Sequence, residues 1–215
     1  MNKSAPVGAR HWVLRIGVLL LGAAFLAGTF RFDYDSIWFY LLSVGLGLSW
    51  LAVWWVDRAA AAAAEPPRFS VVRRVLLGLG AGAALAAACA VGALLFGDVP
   101  VIGPSIAEVI SPVQSSILPV AVTALAVGAT EEFAFRGGVF AWFDRRPIVW
   151  STLVYVVITA GTGSISLVMA AVFLGAGTGI LRAWTRSLIA PVLCHVVWSA
   201  LLLLVLPQVV ARFGG

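Results

Sequence analysis

The length of the apolar runs constrains this chain more than any other feature. A helix that crosses a bilayer needs about 20 consecutive apolar residues, because hydrocarbon offers its backbone no outside hydrogen-bond partner. Seven segments meet or approach that length: Trp12 to Phe30, Ser36 to Val56, Val75 to Phe96, Ile117 to Phe143, Ile148 to Ala160, Ser164 to Leu181 and Leu188 to Leu206. The fifth is short, as a tilted or partly re-entrant segment would be. Only 11% of the 215 residues are charged and 62% are hydrophobic, against about 25% charged in soluble domains, so most of the surface must face lipid or other helices. The expected fold class is all-α, a polytopic transmembrane helix bundle of about seven spans. It forms a single membrane domain over 1–215, with N-terminal spans and an outer segment in 12–116 and a core carrying the candidate site in 117–206. The first run follows a basic stretch, as a signal peptide would, but it is long enough to span and no small-residue cleavage pattern precedes Arg31. It reads as the first anchor.

The basic residues set the orientation. Lys3 and Arg10 precede the first span, Arg15 lies in its first turn, and Arg58, Arg68, Arg73 and Arg74 flank the second loop. Arg136, Arg145 and Arg146 close the fourth span, and Arg182 and Arg186 separate the sixth and seventh. Twelve of the 14 basic residues thus fall on one side, leaving Arg31 and Arg212 on the other. By the positive-inside rule the crowded side is cytoplasmic, which places the N-terminus in the cytoplasm and the C-terminus outside. The loop from Asp57 to Ser70 reads as a frayed helix end over Ala59 to Ala64 followed by a linker broken at Pro66 and Pro67. Between Gly97 and Gln114, three prolines surround Ile106 to Ile110, where a short interfacial helix is expected. Gly78, Gly80 and Gly82, and the run Gly175 to Gly179, suit close helix packing. No internal repeat is present. Cys89 and Cys194 lie in apolar runs and behave as small hydrophobes, and nothing points to a nucleic-acid partner.

Charge inside the fourth span needs a different explanation. The stretch from Thr130 to Gly138 holds Glu131, Glu132 and Arg136 within six residues. A charged side chain at the centre of a spanning helix costs about 2.5 to 3.5 kcal/mol on insertion scales, so such a cluster marks chemistry or a pairing between helices. On a helix Glu132 and Arg136 lie four residues apart on one face and can pair. Glu131 is rotated about 100° away, which leaves it for a water, a metal or a group on a facing helix. That is the setting of a general base. The second polar feature is His195 in the last span. Glu131 lies 13 residues before Asp144 and His195 lies 9 after Arg186, which puts them roughly 20 and 13 Å from the cytoplasmic boundary. Ser199 is one turn beyond His195 on the same face. Pro191, one turn before it, is expected to free a carbonyl and kink the helix.

These residues resemble the CPBP family of intramembrane proteases, which includes CAAX prenyl endopeptidases, bacteriocin-processing enzymes and abortive-infection proteins. The resemblance rests on Glu131, Glu132 and Arg136, and on the lead from Arg186 through Ser187, Leu188, Ala190 and Pro191 to His195. It covers about Ile117 to Leu206. The family pattern is Glu-Glu-x-x-x-Arg, then Phe-x-x-x-His, then His-x-x-x-Asn or Asp. The resemblance implies a membrane-bound endopeptidase with Glu131 activating water, Glu132 and Arg136 in support, and His195 opening the third motif. Two positions depart from the pattern. The second motif is matched best by Tyr155 to Thr159, with threonine in the histidine place, and the third ends at Ser199.

The family name implies a divalent metal such as zinc, for which Glu131 and His195 are the candidate ligands. A zinc site usually takes three protein ligands, and the other histidine of this chain, His11, lies at the edge of the first span, so a two-histidine zinc site is not expected. For catalysis the resemblance assigns Glu131 as base and His195 to orient water or stabilise the oxyanion, with Thr159 and Ser199 as neutral donors. The expected partners are the lipid bilayer and a membrane-embedded or lipidated protein substrate cut near the cytoplasmic leaflet of a bacterial plasma membrane. The alternative is a catalytically impaired member acting as a membrane scaffold or partner-binding protein.

Overall fold

The computed structural model describes residues 8–62, 66–110 and 117–213. These residues form an all-α bundle: α1 (Ala9–Thr29), α2 (Ile37–Ala62), α3 (Val71–Phe96), α4 (Ile102–Ile110), α5 (Ile117–Glu132), α6 (Pro147–Ala160), α7 (Ile165–Thr185) and α8 (Ile189–Phe213). Between α5 and α6 the chain passes through a π-helical segment, Phe133–Gly138, and a 3-10 segment, Val139–Trp142. Five stretches are long and apolar enough to cross a membrane, namely α1, Ile37–Arg58, α3, Leu118–Trp142 and α7. Pro147–Ala160 and Ile189–Val205 are shorter apolar helices. Outward side chains such as Val13, Leu95, Leu118 and Val157 are 70 to 72% exposed, a surface that a bilayer covers and water does not favour.

Close approach of helices is built from small residues, because in lipid the association depends on packing rather than on hydrophobic transfer. Gly78, Gly82 and Ala86, spaced by four, are the buried face of α3. A Cβ on Gly82 would lie 2.6 Å from the Cys194 carbonyl oxygen, and one on Gly78 would lie 2.7 Å from that of Ala190, so α3 rests against the backbone of α8. Gly80 points elsewhere and meets nothing. Gly175, Gly177 and Gly179 of α7 meet Thr152, Leu85 and Ile148 in the same way. The packing reading of the glycines therefore holds except at Gly80.

The two ends of the bundle differ in charge. At one end the carboxylate of Asp57 accepts from the Arg15 guanidinium and, at 2.5 Å, from the Trp142 indole, with the His11 ring 3.3 Å away. This clamp joins the start of α1, the end of α2 and the 3-10 segment. Arg68 N–H donates to the Thr185 carbonyl and Arg74 to Ser187 Oγ, which brings α3, α7 and α8 to the same end. Arg10, Arg58, Arg73, Arg145, Arg146, Arg182 and Arg186 lie on the same terminal turns and loops, whereas Arg31, Asp33, Asp35 and Asp98 lie at the opposite end.

Arg136 does not mark a boundary, as the sequence pattern suggested. It is fully buried. The α6 helix leaves the Arg-rich end and reaches the opposite end, where Ser105 of α4 bonds Ser164 and Ser166 beyond the turn. The short segment thus runs between the two ends of the bundle, although at 14 residues it is shorter than the five stretches long enough to cross a membrane. The expected helix at Ile106 to Ile110 is α4. Of the linker, α2 continues to Ala62, Pro66 and Pro67 are non-helical, and 63–65 lie outside the described residues.

Gly82→Ala is expected to lower the thermal stability of the protein in detergent by about 1 to 3 kcal/mol, as overpacking does, and Gly80→Ala to leave it unchanged. Equal effects at the two positions would contradict the packing of α3 on α8.

Candidate active site

The last turn of α5 delivers two adjacent carboxylates in two directions. Glu131 Oε2 accepts from the Tyr155 hydroxyl of α6 at 2.8 Å. Glu132, with no exposed surface, places Oε1 2.9 Å from His195 Nδ1 of α8 and Oε2 3.3 Å from Arg136 Nε. The imidazole stands between the carboxylates, with its Nε2 3.9 Å from Glu131 Oε2. A carboxylate only accepts, so Glu132 favours the tautomer with the proton on Nδ1, and the Nε2 lone pair faces Glu131. Gly128, one turn before the glutamates, makes room for the ring, since a Cβ there would lie 2.9 Å from His195 Nε2.

Arg136 is held by more than its acid. Its Nη2 donates to the Gly175 carbonyl at 3.0 Å, and its guanidinium carbon lies 5.1 Å from the centre of the Tyr155 ring. Glu132 Oε2 and Arg136 Nε are close in space, yet neither makes a hydrogen bond. The pair is therefore one of charge proximity and not a bidentate fork. The segment carrying Arg136 is π-helical, a local form often found at functional sites. Side chains bond its main chain as well: Ser151 Oγ donates to the Phe135 carbonyl at 2.8 Å and Arg182 Nε to the Arg136 carbonyl at 3.0 Å. Gly138 lets this segment close on α2, because a Cβ there would lie 3.0 Å from the Val53 carbonyl oxygen.

Glu131, Tyr155, Thr159, His195 and Ser199 all line one cavity of about 620 Å³. Glu132 and Arg136 lie outside its lining. The structure thus brings Glu131, His195, Thr159 and Ser199 to one cavity and sets the supporting pair behind it, with Glu132 in contact with His195. Three expectations change. Glu132 binds His195 as well as approaching Arg136, which linear spacing could not reveal. Thr159 Oγ1 donates to the Tyr155 carbonyl at 2.9 Å, so its proton is committed to its own helix and only its lone pairs are offered to the cavity. Pro191 lies in the first turn of α8, where a missing N–H removes no intrahelical bond, and it frees no carbonyl there.

The residue that sequence reasoning passed over is Tyr155. It was placed only as the aromatic opening of the second motif. The signal was available: a phenol in an apolar span needs a hydrogen-bond partner, and it stands four residues before Thr159. The donor set does not fit a three-ligand zinc site. The cavity lining offers one imidazole, one carboxylate and the Cys89 thiol, with threonine in the place of the second-motif histidine, and among the described residues no three His, Cys, Asp or Glu side chains converge to hold an ion.

A family model described as type II CAAX prenyl endopeptidase Rce1-like matches residues 113–201. That segment is similar to the core of this protease family. Neither a curated protein nor a solved structure matches the chain. The CAAX-protease match runs from the lead into α5 to Leu201 of α8 and so includes both glutamates, Arg136, Tyr155, Thr159, His195 and Ser199. The helices α1 to α4 lie outside it, although α2 packs directly on the π-helical segment of the core.

Glu132→Gln and Arg136→Leu are each expected to reduce the yield of folded protein more than Glu131→Gln does, because removing one partner of a buried pair costs about 3 to 5 kcal/mol. Equal, wild-type yields of all three in detergent extracts would refute the pairing.

Proposed function

We propose that the chain is an intramembrane endopeptidase that cleaves a membrane-anchored or lipidated peptide with a water activated by Glu131. The observation that carries this reading is the convergence of Glu131, Tyr155 and His195 at one cavity, with Glu132 behind the imidazole. In this scheme a water lies between Glu131 Oε2 and His195 Nε2. Glu131 takes one of its protons as the water oxygen bonds to the carbonyl carbon of the scissile peptide, whose π electrons move to the carbonyl oxygen. The proton then passes from Glu131 to the amide nitrogen as the C–N bond breaks. His195 Nε2, a lone pair under the favoured tautomer, accepts from the water and aims it, which supports water orientation over oxyanion stabilisation. Tyr155 holds Glu131 and is also the nearest neutral donor for developing negative charge.

The alternative is a catalytically impaired member acting as a scaffold or partner-binding protein. It is favoured by the Thr159 hydroxyl, whose proton is already taken by the Tyr155 carbonyl. The arginine-rich end supports a cytoplasmic N-terminus.

The two readings separate in one comparison. The termini of membrane peptides are measured by mass spectrometry in cells with the wild-type protein, with none, and with Glu131→Gln at matched abundance. Products that require the wild type and vanish in both other strains are expected, with a rate loss of about 10²- to 10⁴-fold from removal of the base. Wild-type behaviour of Glu131→Gln would leave the scaffold. Tyr155→Phe is expected to lose less, since one hydrogen bond to a charged group contributes about 1.5 to 3 kcal/mol. Its cleavage rate against the same products checks this, and a loss as large as that of Glu131→Gln would assign the phenol a larger part.

A further inference from the structure

The cavity that holds the candidate site runs in one direction only. Its lining includes Leu26 and Thr29 at the end of α1, Leu95 and Phe96 at the end of α3, and Ile102 and Ile106 of α4, all at the Arg-poor end. No lining residue comes from 8–25, 47–62, 71–84, 132–154 or 175–194, the parts of the spans nearer the Arg-rich end. Behind Glu131 on that side, Glu132, Phe135 and Arg136 have no exposed surface and close the floor. Sequence spacing alone placed the pocket in the cytoplasmic half. The space in front of Glu131 extends the other way.

We infer that the cavity takes an apolar stretch of a membrane-embedded peptide, which reaches Glu131 as a single unwound strand from the Arg-poor side of the membrane. This rests on the peptidase reading and supplies its substrate class. Depth supports a peptide. Glu131 lies 13 residues from Leu118 and 11 from Trp142 in its span, so it sits roughly 20 and 16 Å from the two ends, near mid-bilayer. A bond cut there belongs to a segment that is itself apolar. Chemistry supports an unwound strand: in a helix the carbonyl and amide of the bond to be cut are engaged in hydrogen bonds four residues away, whereas an extended strand offers both to Glu131.

Charge supports an internal bond. Among the described lining residues Glu131 is the sole Asp, Glu, Lys or Arg, so the described lining suits an uncharged internal stretch better than a buried terminal carboxylate. The α4 helix contributes Ile102 and Ile106 to the lining at that end and is tied to the start of α7 by the hydroxyls of Ser105, Ser164 and Ser166.

Cys89 is a natural reporter on the cavity wall, where its sulfur accepts from the Trp198 indole at 3.4 Å. Cys194 is fully buried and is replaced by alanine in the test. The full-length Cys194→Ala protein is treated in sealed right-side-out and inverted vesicles with a membrane-impermeant cationic methanethiosulfonate. Asp98→Cys and Asp144→Cys, each in a chain without Cys89 and Cys194, mark the Arg-poor and Arg-rich faces. Cys89 is expected to react from the face that labels Asp98→Cys and not from the other, and a synthetic Leu/Ala peptide with blocked ends is expected to suppress the reaction. Labelling from the Asp144→Cys face, or from neither, overturns the route. Protection by palmitate but not by the peptide, or by neither, overturns the peptide occupant. Labelling needs no turnover, so failure of the route is distinct from failure of Glu131→Gln to abolish cleavage.

Discussion

The buried carboxylate of Glu132 is the interaction on which the remaining arrangement depends. It has no exposure to solvent and faces Arg136 on its own helix and His195 on α8. Taking a charge out of water costs several kcal/mol, and a partner restores that only when it is close and correctly placed. One acid therefore fixes three things: the position of the guanidinium, the position of the imidazole and the tautomer of that imidazole. Glu131, the next residue, is free of this duty because helical rotation turns it elsewhere, to the Tyr155 hydroxyl and the cavity.

The π-helical segment after Glu132 is the second element of the design. A regular α-helix through Gly138 would pair its main chain within itself. Here the Phe135 and Arg136 carbonyls also accept from Ser151 of α6 and Arg182 of α7, which ties the segment to both neighbours. On its other side Trp50 of α2 meets the Phe135 ring edge-on at 5.1 Å, and Phe135 lies 4.8 Å from the ring of Tyr155. This aromatic column runs from α2 into the site. It explains how helices outside the CAAX-protease match hold residues inside it. The Asp57 clamp does the same from the Arg-rich end, binding the 3-10 segment through Trp142.

Polarity is segregated along the bundle axis. Arginines gather at one end, the paired charges lie at the centre, and the cavity opens from the centre toward the other end. A buried floor that carries fixed charges beneath a largely apolar described lining is the setting that the proposed cleavage within the bilayer would use.

Much of this was legible in the chain. The run lengths identify a helical membrane bundle, because hydrocarbon leaves the backbone no alternative, and they recover α1 to α3 and α5 to α8. The i,i+4 spacing pairs Glu132 with Arg136 and sets Glu131 apart, because helical periodicity is local. Gly78 and Gly82 signal a close helix contact by their spacing, although the same reasoning wrongly includes Gly80. The contact of His195 with Glu132, the bond from Tyr155 to Glu131 and the Asp57 clamp join residues 24 to 85 positions apart. No periodicity encodes these contacts, since they depend on how far each helix is rotated and displaced against its neighbours. The same holds for the π-helical turn and for the direction in which the cavity opens. Both follow from side chains of several helices competing for one volume, a competition settled by packing in three dimensions.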